Sequence, residues 1–345
     1  MTRTSERSTV IQIVTQLEPA GAQSVAAWLQ GALNTPCKTV FLYEKAESEL
    51  FPDPNLVVKG RPESPAGLLR FARASYQLRR SLGDGDTLIA HTHYAIVFAA
   101  LLGVARRKRA RMLAVHHSPE DRYPSVARLG VRAARSLRLI DDEVYCAASI
   151  APPGATVIPN PVPQARTTRA VEPREVDVLI VARHSSEKSL DTAIRALPSM
   201  PDRTITFLGG GALTEELQQL ASALGVEDRA IFLGRVPNER TRAFMAKARC
   251  VVLTSVWEAL PMVLLEAVAE DAPLVVSDIP AHKFLEEAGA ALAFTTKDPQ
   301  SLADAIEKAR TPEALQAMTR GRQTIKKDFS ETATARAWDE LIANP

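Results

Sequence analysis

Short apolar runs alternate with segments of helical period along the chain, which is the pattern of parallel sheets joined by crossover helices. A first series of strands is predicted at Val10–Val14, Thr39–Tyr43, Thr87–Ala90, Arg111–Val115, Glu143–Cys146 and Thr156–Ile158. Pro159, Pro161 and Pro163, followed by a polar run from Gln164 to Glu175, then break the pattern in the manner of a linker. A second series begins at Val176–Val181 and continues through Thr204–Leu208, Ala230–Leu233, Cys250–Leu253 and Pro273–Val276. At 345 residues the chain exceeds what one core usually holds. The expected fold class is therefore α/β, with two doubly wound, Rossmann-like parallel-sheet domains that bind ligands at the carboxyl ends of their strands.

Composition narrows the picture modestly. Cys37, Cys146 and Cys250 are the only cysteines and stand in separate segments, so reduced thiols in a cytoplasm are expected and a disulfide framework is not. The longest apolar run, Tyr94 to Ala105, is short of the roughly 20 residues of a membrane span. Glu6 and Arg7 precede the first strand where a signal peptide would carry its apolar core. Residues 1–165 hold 20 basic and 14 acidic groups, a balance of +6, and the remainder balances at −4. The excess gathers in Arg106–Arg109 with Arg111, and in Arg128, Arg132, Arg135 and Arg138 at helical spacing. This face suits either an anionic bilayer or plain solvent. Nucleic acid is not expected, because no aromatic platform or reading motif accompanies the arginines.

The richest stretch for chemistry is Ser255-Val-Trp-Glu258-Ala-Leu-Pro261-Met-Val-Leu-Leu-Glu266. It follows an apolar strand, and Pro261 suits the first turn of a helix, where its missing N–H costs nothing. Glu258 is then placed on a loop at a strand's carboxyl end, and Glu266 about one turn inside the helix. The helix amides and dipole favour an anion such as a diphosphate. Acidic residues at helix starts are also common for the dipole's sake alone. Upstream, Ala182-Arg183-His184-Ser185-Ser186-Glu187-Lys188-Ser189 follows the strand at Val176–Val181. Arg183 and Lys188 can close on one diphosphate, or remain solvated loop charges. Gly209-Gly210-Gly211 lacks the Gly-x-Gly-x-x-Gly spacing and argues only mildly for close approach of a ligand.

The Glu258–Glu266 segment resembles the Glu-x7-Glu signature of retaining glycosyltransferases of family 4, matching at both glutamates, Pro261 and the apolar helix face. Ala259 replaces the usual glycine. Arg183 and Lys188 fall on that family's donor-phosphate positions, with Ala182 and Ser189 replacing flanking glycines. The resemblance implies a GT-B fold, with residues 1–163 as acceptor-side domain, residues 164–327 as donor-binding domain, and a last helix, about 328–345, crossing back to the first domain. It places the active site in the cleft between them. It further implies donor contacts at Gly21, Gly209, Arg235, Val236, Leu260, Pro261, Met262, Val263 and Glu266. Ile158-Pro-Asn-Pro161 is similar to the family's junction motif, with proline for glycine.

Four of the six histidines fall at two strand ends, His91 and His93, and His116 and His117. His116 matches the family histidine that hydrogen-bonds the donor sugar. His117 is the fallback for that role, and His93 and Gln23 are placed on the sugar or acceptor side. No carboxylate or cysteine spacing turns the four imidazoles into a metal site, and the family resemblance implies no bound metal or cofactor.

The implied reaction moves a sugar from a nucleotide-diphosphate donor to an acceptor hydroxyl with retention at the anomeric carbon, as in glycolipid, surface-polysaccharide or natural-product glycosylation. Glu258 would orient the sugar, Glu266 the ribose and His116 a further hydroxyl, while Arg183 and Lys188 stabilise the leaving diphosphate. The expected location is the cytoplasm, or its membrane face if the basic patches contact lipid. A noncatalytic nucleotide-sugar-binding or scaffold protein with the same fold is the alternative that the lost glycines leave open. A dinucleotide-dependent dehydrogenase is disfavoured, because its phosphate fingerprint is absent from the first strand turn.

Overall fold

Strands buried on both faces need near-continuous apolar sequence, and the computed structural model shows two sheets built that way. It describes residues 9–15, 21–42, 55–56, 69, 73, 76, 78–80, 82–83, 85–104, 110–166 and 175–344. The chain divides into unit 1, Met1–Asn160 with Glu331–Pro345, and unit 2, Pro161–Ser330.

Unit 1 contains β1 (Val10–Val14), β2 (Cys37–Phe41), β3 (Asn55–Leu56), β4 (Thr87–His91), β5 (Arg111–His116), β6 (Asp142–Tyr145) and β7 (Thr156–Val157). They form one sheet in the order β3-β2-β1-β4-β5-β6-β7, with every pair parallel. The helix His93–Val104 is apolar nearly all round, and its Ile96 and Phe98 are fully buried. The last helix, Glu331–Ala343, completes the other side of the core. Its Trp338 is buried with Val10, Leu29, Leu113 and Val144. Polar ties hold the same helix, because Arg111 Nη1 donates to Leu341 O at 2.6 Å and Asn34 Nδ2 to Asp339 Oδ2 at 2.6 Å.

Unit 2 contains β8 (Val176–Val181), β9 (Ile205–Leu208), β10 (Ala230–Gly234), β11 (Ala248–Leu253), β12 (Leu274–Ser277) and β13 (Ala291–Phe294). Their order is β10-β9-β8-β11-β12-β13, again all parallel. The α/β, doubly wound expectation holds for both units. In each, the strand order reverses at one switch point, β1/β4 in unit 1 and β8/β11 in unit 2. Loops at the carboxyl side of a switch point diverge and leave a crevice.

Two strands escape the sequence pattern. β3 has only two residues, too few for any period. β13 reads Ala-Leu-Ala-Phe, which is as compatible with a helix as with a strand. Pro261 is displaced by one position from its expectation: it caps the helix Met262–Ala269 with extended ψ of 124°, instead of occupying its first turn. A proline there still loses no intrahelical hydrogen bond.

Candidate functional site

The switch point of unit 2 brings together the two loops that carry the charged motifs. Following β8, a 3-10 turn at Ser186–Lys188 ends on Ser189, which adopts φ 45° and ψ 47°. This is the left-handed conformation that glycine adopts at least cost, so the chain keeps the backbone shape there without the glycine. Ala182 and Ala259 are absent from the positive-φ residues, and glycine's freedom is not needed at either. The loop after β11 is stitched to this turn. Thr254 Oγ1 donates to Lys188 O at 2.7 Å, and Val256 N to Glu187 O at 2.9 Å.

That stitching delivers Lys188 Nζ onto Glu258 Oε1, an ion pair with both side chains mostly buried. Ser255 Oγ donates to the same oxygen at 2.8 Å. Both contacts fall on Oε1. Arg183 differs sharply. Its side chain is 75 % exposed and pairs with Glu187 at 3.2 Å. The structure therefore joins Lys188 and Glu258 and leaves Arg183 at the rim.

Glu266 lies in the second turn of the helix Met262–Ala269, where Asn238 Nδ2 donates to its Oε1 at 3.0 Å. Burial pushes its carboxyl up, opposed by the Asn238 hydrogen bond and by the cations Arg242 and Arg166. Leu260 is buried, and Pro261, Met262 and Val263 are half-buried. Arg235 is exposed and Val236 half-buried, just past the end of β10.

The glycine turn has a reason other than a ligand. Gly209 sits at φ 130°, and a Cβ there would lie 1.9 Å from Ala182 O; one on Gly211 would lie 2.5 Å from His184 O. The close approach is that of the protein's own Ala182–His184 backbone, secured by His184 N donating to Gly210 O at 3.2 Å. These glycines bring the Arg183–Lys188 loop and the β9 loop into contact.

In unit 1, residues 16–20 lie outside the described residues, and Gly21 opens the helix Gly21–Ala32 in an exposed position. Gln23, in the same helix, is buried, and its Oε1 has no partner among the described residues. At the β1/β4 switch point Gln12 Nε2 donates to Ala26 O at 3.0 Å, which turns Oε1 toward His91 Nε2 at 2.8 Å. With His91 Nε2 as donor, its Nδ1 accepts, and His117 Nε2, 3.0 Å away, is assigned as the protonated nitrogen. Burial holds the His91 imidazole well below its usual range, and burial together with the His116 ring lowers His117 to about 4. Thr92, between β4 and the next helix, adopts φ 75°, a rare conformation for a β-branched residue, with its hydroxyl buried and unpartnered among the described residues. His93 packs 4.9 Å from the Tyr123 ring, and burial lowers its basicity.

His116 is fully enclosed. Its Nδ1 lies 2.8 Å from Tyr123 Oη and its Nε2 2.8 Å from Glu143 Oε2, so both ring nitrogens have protein partners. Burial raises the Glu143 carboxyl, but the hydrogen bonds from Arg135 and His116 outweigh it and bring the group from 4.5 down to about 2. A depressed carboxylate stabilises the fold fully above its unfolded value and loses that stabilisation as pH falls through the folded one. Urea midpoints measured from about pH 5 to about pH 2.5 should fall more steeply for the wild type than for Glu143→Gln.

The basic face is only partly available. Arg106–Arg109 lie outside the described residues. On the helix Ser125–Ser136, Arg132 pairs with Glu120 at 2.9 Å, and Arg135 with Glu120 at 3.1 Å and Glu143 at 2.6 Å. Arg138 lies beyond the helix at φ 52°, so the four arginines do not form one helical row. Among the described residues no helix is long and apolar enough to cross a membrane, and no group of three His, Cys, Asp or Glu side chains is placed to hold a metal ion.

Asn238, Ser255 and Gln12 were not singled out from the sequence. Ser255 stands inside the glutamate motif, and Asn238 follows Pro237 at a helix start. Gln12 gives no signal beyond being a polar residue within an apolar strand.

Known proteins share parts of this chain's sequence and its fold. Residues 164–324 match the family model described as Glycosyl transferases group 1, so unit 2 carries a domain of that type. Over 292 residues the chain is 26% identical to an exopolysaccharide phosphotransferase of Streptomyces coelicolor, covering 79% of this chain and 30% of that protein. Over 170 residues it is 29% identical to the lipopolysaccharide core biosynthesis glycosyltransferase LpsE of Rhizobium meliloti, covering 48% of this chain and 49% of the relative. The chain thus matches less than half the length of either relative. Among solved structures, Anabaena HepE in complex with UDP and glucose superposes with a TM-score of 0.80 at 19% identity, over 97% of this chain and 99% of that one. The lipopolysaccharide outer core galactosyltransferase WaaB superposes with a TM-score of 0.74 at 16% identity, over 97% and 99%. At these identities the likeness establishes the fold, which is GT-B.

Proposed function

We propose that the chain is a retaining glycosyltransferase of family 4 type, which transfers a hexose-like sugar from a nucleotide-diphosphate donor to an acceptor hydroxyl. The observation that carries this reading is the Lys188–Glu258 pair at the β8/β11 switch point, inside the segment that matches the family model. A cation and a carboxylate fixed in contact can divide the work on such a donor, Lys188 against the diphosphate and Glu258 toward the sugar. Glu266, steadied by Asn238, takes the ribose diol. Arg183, on its exposed loop, adds a forked cation when it turns from Glu187 to the phosphates.

No nucleophile is assigned. The departing diphosphate takes the acceptor proton on the face of attack, and the protein contributes positioning and stabilisation of the developing charge. Unit 1 serves the acceptor, with His93, His117 and Gln23 at or near its switch point, and His116 acts there through its bonds to Tyr123 and Glu143. Chemistry proceeds without a bound metal, and the location is cytoplasmic, with peripheral membrane contact through the basic face. A polysaccharide or glycolipid acceptor accords with the relatives' names.

A binding and slow-hydrolysis screen with UDP-, GDP-, ADP- and TDP-sugars, with and without EDTA, tests the proposal. One donor is expected to bind and hydrolyse, insensitively to EDTA, with at least about a tenfold loss in Glu266→Ala. Anomeric proton spectra of the transferred sugar report retention. A protein that binds a donor without hydrolysing or transferring its sugar is the noncatalytic binding alternative, and one that binds none is a scaffold or takes a donor outside the panel.

A further inference from the structure

A buried ring nitrogen after β12, the neighbour of β11, has no partner among the described residues. His282, in the 3-10 turn Pro280–His282 after β12, is 1 % exposed. Its Nδ1 lies 2.9 Å from the backbone oxygen of Ser277. A carbonyl oxygen can only accept, so Nδ1 carries the proton. A neutral imidazole then has a lone pair at Nε2. Burial lowers the basicity of this ring, which keeps it in that neutral form. Nε2 is the buried atom left without a hydrogen bond. A buried acceptor left unpaired is costly, so its persistence calls for a donor from outside the protein.

Through Nδ1 the ring is tied by a hydrogen-bonded path to the Lys188–Glu258 pair. Ser277 Oγ lies 3.3 Å from His282 Nδ1 and donates to Ser255 O at 2.5 Å. Ser255 Oγ in turn donates to Glu258 Oε1, the oxygen that also takes Lys188. His282 is thus built into the shell that supports the Lys188–Glu258 pair. The charges of Glu258 and Lys188 both act on its ring, in opposite senses.

We infer that His282 Nε2 accepts a hydrogen bond from a hydroxyl of the sugar carried by the nucleotide donor, making His282 a sugar-recognition residue beside Glu258. The inference rests on the glycosyltransferase reading above. It requires an O–H donor, which a sugar supplies and a diphosphate at neutral pH does not. With the ribose diol taken by Glu266, His282 distinguishes the sugar nucleotide from its nucleoside diphosphate, a distinction the cations cannot make.

The test compares affinities by calorimetry for the donor selected in the screen and for its nucleoside diphosphate alone, in the wild type, His282→Asn and His282→Gln. Asparagine keeps a donor for Ser277 O and deletes the Nε2 acceptor. Glutamine carries an amide oxygen out toward the Nε2 position. The expected result for His282→Asn is about a tenfold loss for the sugar nucleotide with no change for the diphosphate, and partial recovery in His282→Gln. Equal losses for both ligands would make the residue structural and overturn the assignment. No loss for either would mean that Nε2 merely holds a water, and would also overturn it. Wild-type protein that binds no member of the panel sinks the parent reading along with this one, whereas wild-type binding with unchanged selectivity in His282→Asn sinks this one alone. If His282→Asn melts well below the wild type, His282→Gln decides by the same ratio of affinities.

Discussion

Lys188→Ala is expected to lower kcat for sugar transfer by about 10²- to 10³-fold, the range seen when one preorganised charge stabiliser is removed from an active site. The reason lies in placement more than charge. Arg183 is the other cation near the loop, but at 75 % exposure it is free to reorient and is screened by solvent. Lys188 is held by the Thr254 bond to its carbonyl and by Glu258 on its ammonium. Its removal also strips Glu258 of its cation, leaving the Ser255 hydroxyl on Oε1. On the proposed mechanism, sugar orientation and leaving-group stabilisation would suffer together. Steady-state kinetics with varied donor separate the two parts: a fall in kcat reports the leaving group, and a rise in KM reports lost ground-state contacts. An unchanged kcat would remove Lys188 from the chemistry.

The second large effect concerns stability. Arg242→Ala should destabilise unit 2 by about 3–5 kcal/mol, because it strands a buried carboxylate. Arg242 and Glu270 pair at 2.5 Å with side chains 4 % and 0 % exposed. Around them the chain entering unit 2 is pinned, Arg242 Nη2 donating to Gln164 O at 2.7 Å and Arg166 N to Glu270 Oε1 at 3.0 Å. The double variant Arg242→Met, Glu270→Leu should recover much of the loss, since no uncompensated charge stays buried. Recovery will be incomplete, because Arg166 N and Gln164 O each lose a hydrogen bond. Urea unfolding of the three proteins checks the order, and a single variant as stable as the wild type would show that water reaches the pair.

The two-domain α/β plan was legible because strands covered on both faces leave continuous apolar runs, as at Val10–Val14 and Val176–Val181. The glutamate and lysine motifs were legible as types at loop positions. Their union was not: Lys188 and Glu258 stand 70 residues apart, and only the reversal of strand order at β8/β11 makes their loops neighbours. The Gly209–Gly211 turn shows another limit, since spacing alone does not reveal that the protein's own Ala182–His184 backbone packs against these glycines. The arginines from 128 to 138 show the same limit. Helical spacing placed them on one face, but their partners Glu120 and Glu143 come from other segments, and a left-handed residue at Arg138 ends the row.

Unit 2 interrupts unit 1 in the chain. Its ends meet at a parallel bridge between Val162 and Ser330, with Val162 N donating to Phe329 O at 2.7 Å. Everything unit 2 needs has been synthesised once residue 330 emerges, but the core of unit 1 stays open until Trp338 arrives to pack on Val10 and Leu29. The half made first is therefore the half finished last: a chain that has emerged to residue 330 with its last helix still withheld has all of unit 2 and an unclosed unit 1.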